Sequence, residues 1–402
     1  MTNWKDYFAT RASRMQASEI RELLKLLDKP DIISFGGGIP DPKYFPTEAI
    51  AAACQKIMSD PAKAAVALQY VISEGYLPLR QWLVDYMAGM GVTCTPDNIL
   101  ITNGSQQGLD FLGKLFISPG DTILTASPTY LGALQAFNAY EPQYDVLPGP
   151  DNNRTPGSYA GAGKSKPKFG YVMPEFQNPT GTSLSRTERL ALLDAADAMD
   201  MPLVEDCAYE HLRYEGERVS PLLALAAERA DGIDNAKVIY LGTFSKSIAP
   251  ALRIGWIVAP KEVIQKLVLI KQASDLNVSP FNQMIALEVA STIFKPHTEK
   301  VRAIYKDRRD AMLVSLEKHM PEGVEWTRPE GGMFVWITLP RHIDGAKLLE
   351  RAVKETRVAF APGNAFYADR SGHNTIRLSF SLNEPDKVDE GIKRLAQVIR
   401  VS

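Results

Sequence analysis

Short β-branched, apolar runs alternate with helix-period patterns through the middle of the chain, from about residue 97 to 260. Residues 99–102, Ile-Leu-Ile-Thr, have the length and composition of a strand, and the spacing after them predicts a helix over 105–116. The same alternation predicts strands over 121–125, 169–173, 203–205 and 238–241, and a helix over 130–140. A helix over 185–199 carries its own start signal, since Ser185 and Glu188 stand in capping-box spacing. Pro202 is confined to the start of its strand, where a missing N–H is tolerated. Such alternation predicts an α/β fold with a mostly parallel sheet covered by helices.

Further on the pattern changes. Residues 302–316 predict a long charged helix, followed by strands over 332–339, 358–360 and 376–380 and helices over 344–356 and 384–399. That set reads as a smaller α+β domain. A helix predicted over 18–27 packs against it or over the site. The expected division is a large domain over 42–295 and a small one made of 1–41 and 296–402. Residues 152–168, rich in Gly, Ser, Pro and Lys, predict a mobile loop.

Composition narrows the class. The chain has 402 residues, 45% apolar and 23% charged, with a net charge of -2, which gives no reason to expect nucleic acid or an anionic membrane as partner. No stretch approaches the roughly 20 apolar residues of a membrane helix, and residues 1–15 hold no apolar run of the secretory kind. Cys54, Cys94 and Cys207 are few and widely spaced, which argues against a disulfide framework and for a reduced, cytoplasmic protein. The five histidines are scattered without ligand spacing, so no metal site is expected.

Polar residues cluster just after the predicted strands: Asn103-Gly104, Ser127 to Tyr130, Gln177-Asn178, Asp206 and Ser245-Lys246. In open α/β sheets ligands bind at the carboxyl ends of strands, so these segments can converge. Gly104-Ser105-Gln106 opens a helix, where free N–H groups and the dipole favour an anion; Ser245 and Arg253 can complete that cradle. Asp206 can pair with a protonated ring nitrogen, Asn178 and Tyr209 can donate to a phenolic oxygen, and Tyr130 can stack on a ring. Lys246 can form a Schiff base, and as a neutral amine can move a proton. Taken singly, each has an ordinary alternative as a helix cap, a turn residue, a core tyrosine or a surface lysine. Together they are what pyridoxal 5'-phosphate requires.

With Ser127-Pro128-Thr129-Tyr130, Gln177-Asn178-Pro179-Thr180-Gly181, Asp206-Cys207-Ala208-Tyr209, Ser245-Lys246 and Arg253-Ile254-Gly255-Trp256 in this order, the chain resembles the fold type I, class I/II aminotransferases from about Ile32 onward. The resemblance implies a homodimer with shared active sites, no nucleic acid and no membrane, in which an L-amino acid gives its amine to the cofactor and a 2-oxo acid, 2-oxoglutarate, takes it back. It implies that Tyr70 reaches the phosphate of the neighbouring subunit, that Arg377 grips the substrate's α-carboxylate, and that Gly37 and Gly38 border the substrate. More narrowly, Ser18 to Lys25 and Phe35 to Pro40 are similar to the 2-aminoadipate and kynurenine aminotransferase branch, where the arginine matching Arg21 meets a distal carboxylate. On the helix pattern alone Arg21 falls on the polar face. The chain departs from the branch at Val71-Ile72-Ser73, where a Gly-Pro or Gly-Ala pair and a Thr are usual; these larger residues reshape the side-chain pocket and favour an apolar substrate, so the expected amino acid is of the 2-aminoadipate, aromatic or branched-chain type. The alternatives are a β-eliminating lyase on the same cofactor and, more remotely, a non-enzymatic regulator built on an aminotransferase-like module; only about 30 residues precede the resemblance, and they are not basic.

Overall fold

The computed structural model describes residues 2–15, 31–150, 152, 157–158 and 165–402. The helix expected over 18–27, with Arg21, and most of the loop expected over 152–168 lie outside the described residues.

Strand Ile33–Ser34 (β1) precedes the strands of a seven-stranded sheet: Ile99–Thr102 (β2), Thr122–Thr125 (β3), Gln143–Val146 (β4), Gly170–Val172 (β5), Leu203–Asp206 (β6), Val238–Thr243 (β7) and Gly255–Val258 (β8). Their order is β2-β8-β7-β6-β5-β3-β4. β8 runs antiparallel to both neighbours and every other pairing is parallel. The runs are apolar almost without alternation because both faces are covered. Ile99, Ile101, Leu203, Tyr240, Trp256 and Val258 enter one core, and Leu100, Val204, Leu241 and Ile257 the other. Helix Arg186–Ala198 begins where the capping box put it, with Ser185 and Glu188 making both reciprocal bonds. β4 went unforeseen: Gln-Tyr-Asp-Val at a sheet edge carries too little apolar signal.

The remaining strands are Glu325–Trp326 (β9), Phe334–Thr338 (β10), Val358–Ala359 (β11), Ala361–Pro362 (β12) and Thr375–Ser379 (β13). They form an antiparallel sheet, β12-β13-β10-β9, and a parallel pair, β1-β11. The run expected over 358–360 forms a strand only at Val358–Ala359, and after Phe360 the chain enters the other sheet at Ala361–Pro362. The charged helix, Phe294–His319, is 26 residues long and starts earlier than its charge pattern indicated. Helix Gly345–Arg351 continues as a π-helical turn over Ala352–Thr356, and Pro385–Arg400 closes the chain. Phe334, Val335, Ile376 and Leu378 belong to the same core as Leu241 and Ile257, so one apolar core serves both sheets. Among the described residues no helix is long and apolar enough to cross a membrane.

Candidate active site

A cavity of about 380 Å³ opens at the carboxyl ends of β2, β3, β5, β6 and β7. Gly38, Ser105, Gln106, Tyr130, Asn178, Asp206, Tyr209, Ser245, Lys246, Arg253 and Arg377 all line it. Gly104 stands immediately behind the lining, and Gly37 is buried beside Gly38 without facing the cavity. Tyr70 does not line it and is 76% exposed.

The anion end is built by two glycines. Gly104 precedes helix Ser105–Phe116 at φ +77°, and a Cβ there would lie 2.5 Å from Arg253 Nη2. Gly255 lets β8 pass so close that a Cβ would lie 2.6 Å from the Ser105 nitrogen. Arg253, itself left-handed at φ 54°, therefore lays its guanidinium flat on the loop and donates from Nη2 to Asn103 O at 2.8 Å. A helix N-terminus, the Ser105 and Ser245 hydroxyls and a guanidinium so meet at one end of the cavity. Tyr130 lies next to them, its hydroxyl 3.4 Å from Gln106 Oε1.

Asp206 ends β6 and faces the cavity, while Glu205, one residue earlier, faces away and accepts from the Leu222 and Leu223 N–H groups at 2.7 and 3.0 Å. One Asp206 oxygen accepts from the Tyr171 hydroxyl at 2.9 Å; the other, Oδ1, is buried and makes no hydrogen bond within 3.5 Å among the described residues. Burial raises this carboxyl to about 6 against the lowering effect of Tyr171 and the Ala208 N–H. A buried carboxylate oxygen aimed into a cavity fits a cationic N–H group. The donor set thus fits pyridoxal phosphate at both ends.

Lys246 Nζ donates to Gly38 O at 3.1 Å and sits 5.9 Å from the Tyr209 ring centre. Burial, then the Arg377 and Arg253 charges, lower its pKa to about 8. Arg377, in the central strand β13 and 2% exposed, donates to Asn178 Oδ1 at 2.8 Å and to Gly36 O at 2.7 Å. Phe334 and Phe366 flank its guanidinium at 4.2 and 5.0 Å. Asn178 Nδ2 is 3.5 Å from the Tyr209 hydroxyl. Residues 36–38, 178, 246 and 377 are brought to one place from four distant parts of the chain.

Sequence reasoning missed Tyr171, Phe334, Phe366 and Gly36. Tyr171 has a faint signal: it stands in a parallel strand beside β6, one residue before the carboxyl end. Nothing local marks the two phenylalanines, since aromatic residues in a strand or turn read as core.

The chain matches the family model for aminotransferase class I and II over residues 30–395. It is 44% identical over 407 aligned residues to aromatic-amino-acid aminotransferase 1 of Thermococcus litoralis, covering 99% of this chain and 95% of that protein. The kynurenine aminotransferase of Pyrococcus horikoshii, solved with PMP and kynurenine, has a TM-score of 0.90 at 43% identity over 99% of this chain and 98% of that one. The alpha-aminoadipate aminotransferase of Thermus thermophilus, complexed with N-(5'-phosphopyridoxyl)-L-leucine, has a TM-score of 0.88 at 38% identity over 100% and 99%. With a cavity whose two ends suit a phosphate and a ring nitrogen, the chain belongs to the pyridoxal-phosphate-dependent aminotransferases of class I and II.

Proposed function

We propose that this enzyme moves the amino group of an L-amino acid of the 2-aminoadipate, aromatic or branched-chain type to a 2-oxo acid, 2-oxoglutarate, with Lys246 as the catalytic lysine. The observation that carries the reading is Arg377. Buried Arg189, Arg308 and Arg309 each meet a carboxylate. Arg377 meets none among the described residues, and it lines the cavity that Lys246 enters. A buried guanidinium held by two neutral oxygens suits an incoming carboxylate.

Pyridoxal phosphate, when bound, supplies an electron sink beside the substrate's α-carbon. Ser105, Gln106, Ser245, Arg253 and the helix start behind Gly104 would hold its phosphate. Asp206 Oδ1 would accept from the ring N–H and keep that nitrogen protonated, with Tyr171 holding the carboxylate's other oxygen. Asn178 and Tyr209 would donate to the phenolic oxygen, and Tyr130 would cover the ring. Arg377, with Asn178 and the backbone of 36–38, orients the substrate carboxylate. Lys246, whose amine is neutral above about pH 8, would take the substrate's α-proton at Nζ and hold it there for return.

The substrate class rests on the relatives, which act on aromatic amino acids, kynurenine and aminoadipate by name. A distal-carboxylate role for Arg21 belongs to the same reading. So does a homodimer: Val66, Leu68, Tyr70, Ile72 and Leu77 form an exposed apolar stretch fit to meet a second copy, with Tyr70 reaching the neighbour's phosphate. The division into 42–295 and 1–41 with 296–402, and a cytoplasmic location, complete the proposal.

The test is an absorbance spectrum of the cofactor-loaded protein with glutamate, 2-aminoadipate, leucine, phenylalanine and kynurenine in turn. Conversion of the cofactor to its amine form, reversed by 2-oxoglutarate, is the expected result, and the fastest amino acid names the class. Release of ammonia with no amine form would instead identify a lyase.

A further inference from the structure

Behind the anion end of the cavity lies a polar cluster that the chemistry above does not use. Lys271, on helix Lys261–Gln272, is 0% exposed, a rare state for a lysine. Its Nζ donates to Asp275 at 2.9 and 3.1 Å and to Gln107 Oε1 at 3.2 Å. Asp275 Oδ2 also accepts from Asn103 Nδ2 at 2.6 Å and from Gln107 Nε2 at 2.8 Å. Gln107 Oε1 in turn accepts from the Asn103 backbone N–H at 2.9 Å. Asn103 is thus held at its side chain and its nitrogen, and its carbonyl is the oxygen that Arg253 grips. Asn103 also joins this cluster to the cavity wall, because it precedes Gly104 and Ser105, whose N–H groups and hydroxyl form the cradle.

We propose that Asp275, pinned by buried Lys271, is a positioning residue for the phosphate cradle. It fixes the Asn103 peptide, which sets both the Arg253 guanidinium and the start of helix Ser105–Phe116. The physical case is one of rigidity. A guanidinium aimed at an anion is worth most when its direction is set before the anion arrives. Arg253 makes two bonds to backbone oxygens, and the one to Asn103 is the shorter, 2.8 Å against 3.4 Å to Pro250 O. A carboxylate that accepts from three side chains on two elements, with its charge balanced by a lysine without contact with water, is a stiff support for that carbonyl. The inference rests on Arg253 as the phosphate ligand.

The experiment compares the affinity of the apoprotein for pyridoxal phosphate and for pyridoxal, which lacks the phosphate, by cofactor fluorescence. Asp275→Asn removes the charge; Asn103→Ala leaves the Lys271–Asp275 pair intact, so it remains informative if the first variant folds poorly. Arg253→Gln is the reference. The expected result is that Asp275→Asn and Asn103→Ala weaken pyridoxal phosphate binding about tenfold, the worth of one strong hydrogen bond, while pyridoxal binding moves less than about twofold. A merely structural role would weaken both ligands alike, and that outcome overturns the proposal. So does an unchanged ratio in both variants when Arg253→Gln lowers it. An unchanged ratio in Arg253→Gln removes the phosphate cradle itself, and the positioning role with it.

Discussion

Burial pushes Lys246 down to about 8 and Asp206 up to about 6, because each loses water around its charged form. The two shifts act on stability over different pH ranges. For Lys246 the cost of carrying the buried charge is fully present below about pH 8 and fades as pH rises toward the ordinary 10.5, since in that window only the unfolded chain keeps the proton. The melting-temperature gain of Lys246→Met apoprotein over the parent is therefore largest near neutrality and shrinks in alkaline buffer. For Asp206 the cost is present above about pH 6 and fades toward 3.8, where both states are protonated. Asp206→Asn is expected to stabilise the apoprotein at neutral pH by on the order of 1 kcal/mol, yet to weaken cofactor binding and lower turnover by about 100-fold or more. Opposite signs in calorimetry and kinetics are the signature; a variant that loses both stability and activity would contradict the orphan-oxygen argument. Arg377→Lys keeps the charge but loses the two-pronged geometry that Asn178 and Gly36 set up. Its KM for the amino acid should rise about 100-fold, with a smaller change in kcat.

At the level of elements, the reversed strand β8 is what brings Arg253 to the helix start, and the contact depends on the absence of side chains at Gly104 and Gly255. Gly104→Ala adds a methyl 2.5 Å from Arg253 Nη2 at a positive φ, so it should cost about 1 kcal/mol of stability by urea titration and displace the guanidinium, weakening cofactor binding. The strands that carry site residues at their ends were legible because their apolar runs are short, bounded by turn residues and followed by polar ones: Thr102-Asn103-Gly104, Glu205-Asp206 and Thr243 to Lys246 are the clear cases. β8 was visible only as the motif Arg253 to Trp256, whose direction in the sheet is a tertiary property. The helices Thr47–Met58 and Leu77–Ala88 were not anticipated, since they mix small, aromatic and charged residues. Of the site, Lys246, Asp206, Asn178 and Arg377, which line the cavity, were readable because chemistry restricts their type. Tyr171, Phe334 and Asp275 were not, because their roles come from packing and from contacts far along the chain.

The whole molecule is tied together where its first and last segments meet. Arg308 donates to Asp41 Oδ2 at 2.8 Å, to Glu384 Oε1 at 3.0 Å and to the Ser381 carbonyl. Arg308 itself does not line the cavity, but the segment it anchors leads back to Gly38 and Gly36, the carbonyls that hold Lys246 and Arg377. Arg308→Met leaves Asp41 buried without its cation and should cost about 3 kcal/mol in chemical denaturation; the amino-acid KM should rise as well, although no catalytic group is altered. An unchanged KM would mean that the 36–38 segment keeps its place without Arg308, through bonds such as Ser379 N to Phe35 O and Ser381 Oγ to Ile39 O. The same closure sets a timetable. β1 is made early in synthesis, but its partner β11 emerges roughly 300 residues later, so the pair cannot form on a half-made chain. The core face of the large sheet that β10 and β13 share waits equally long. Residues 36–38 therefore settle against Lys246 only after a ribosome has released β11 and β13, so the cleft waits on strands made long after the lysine.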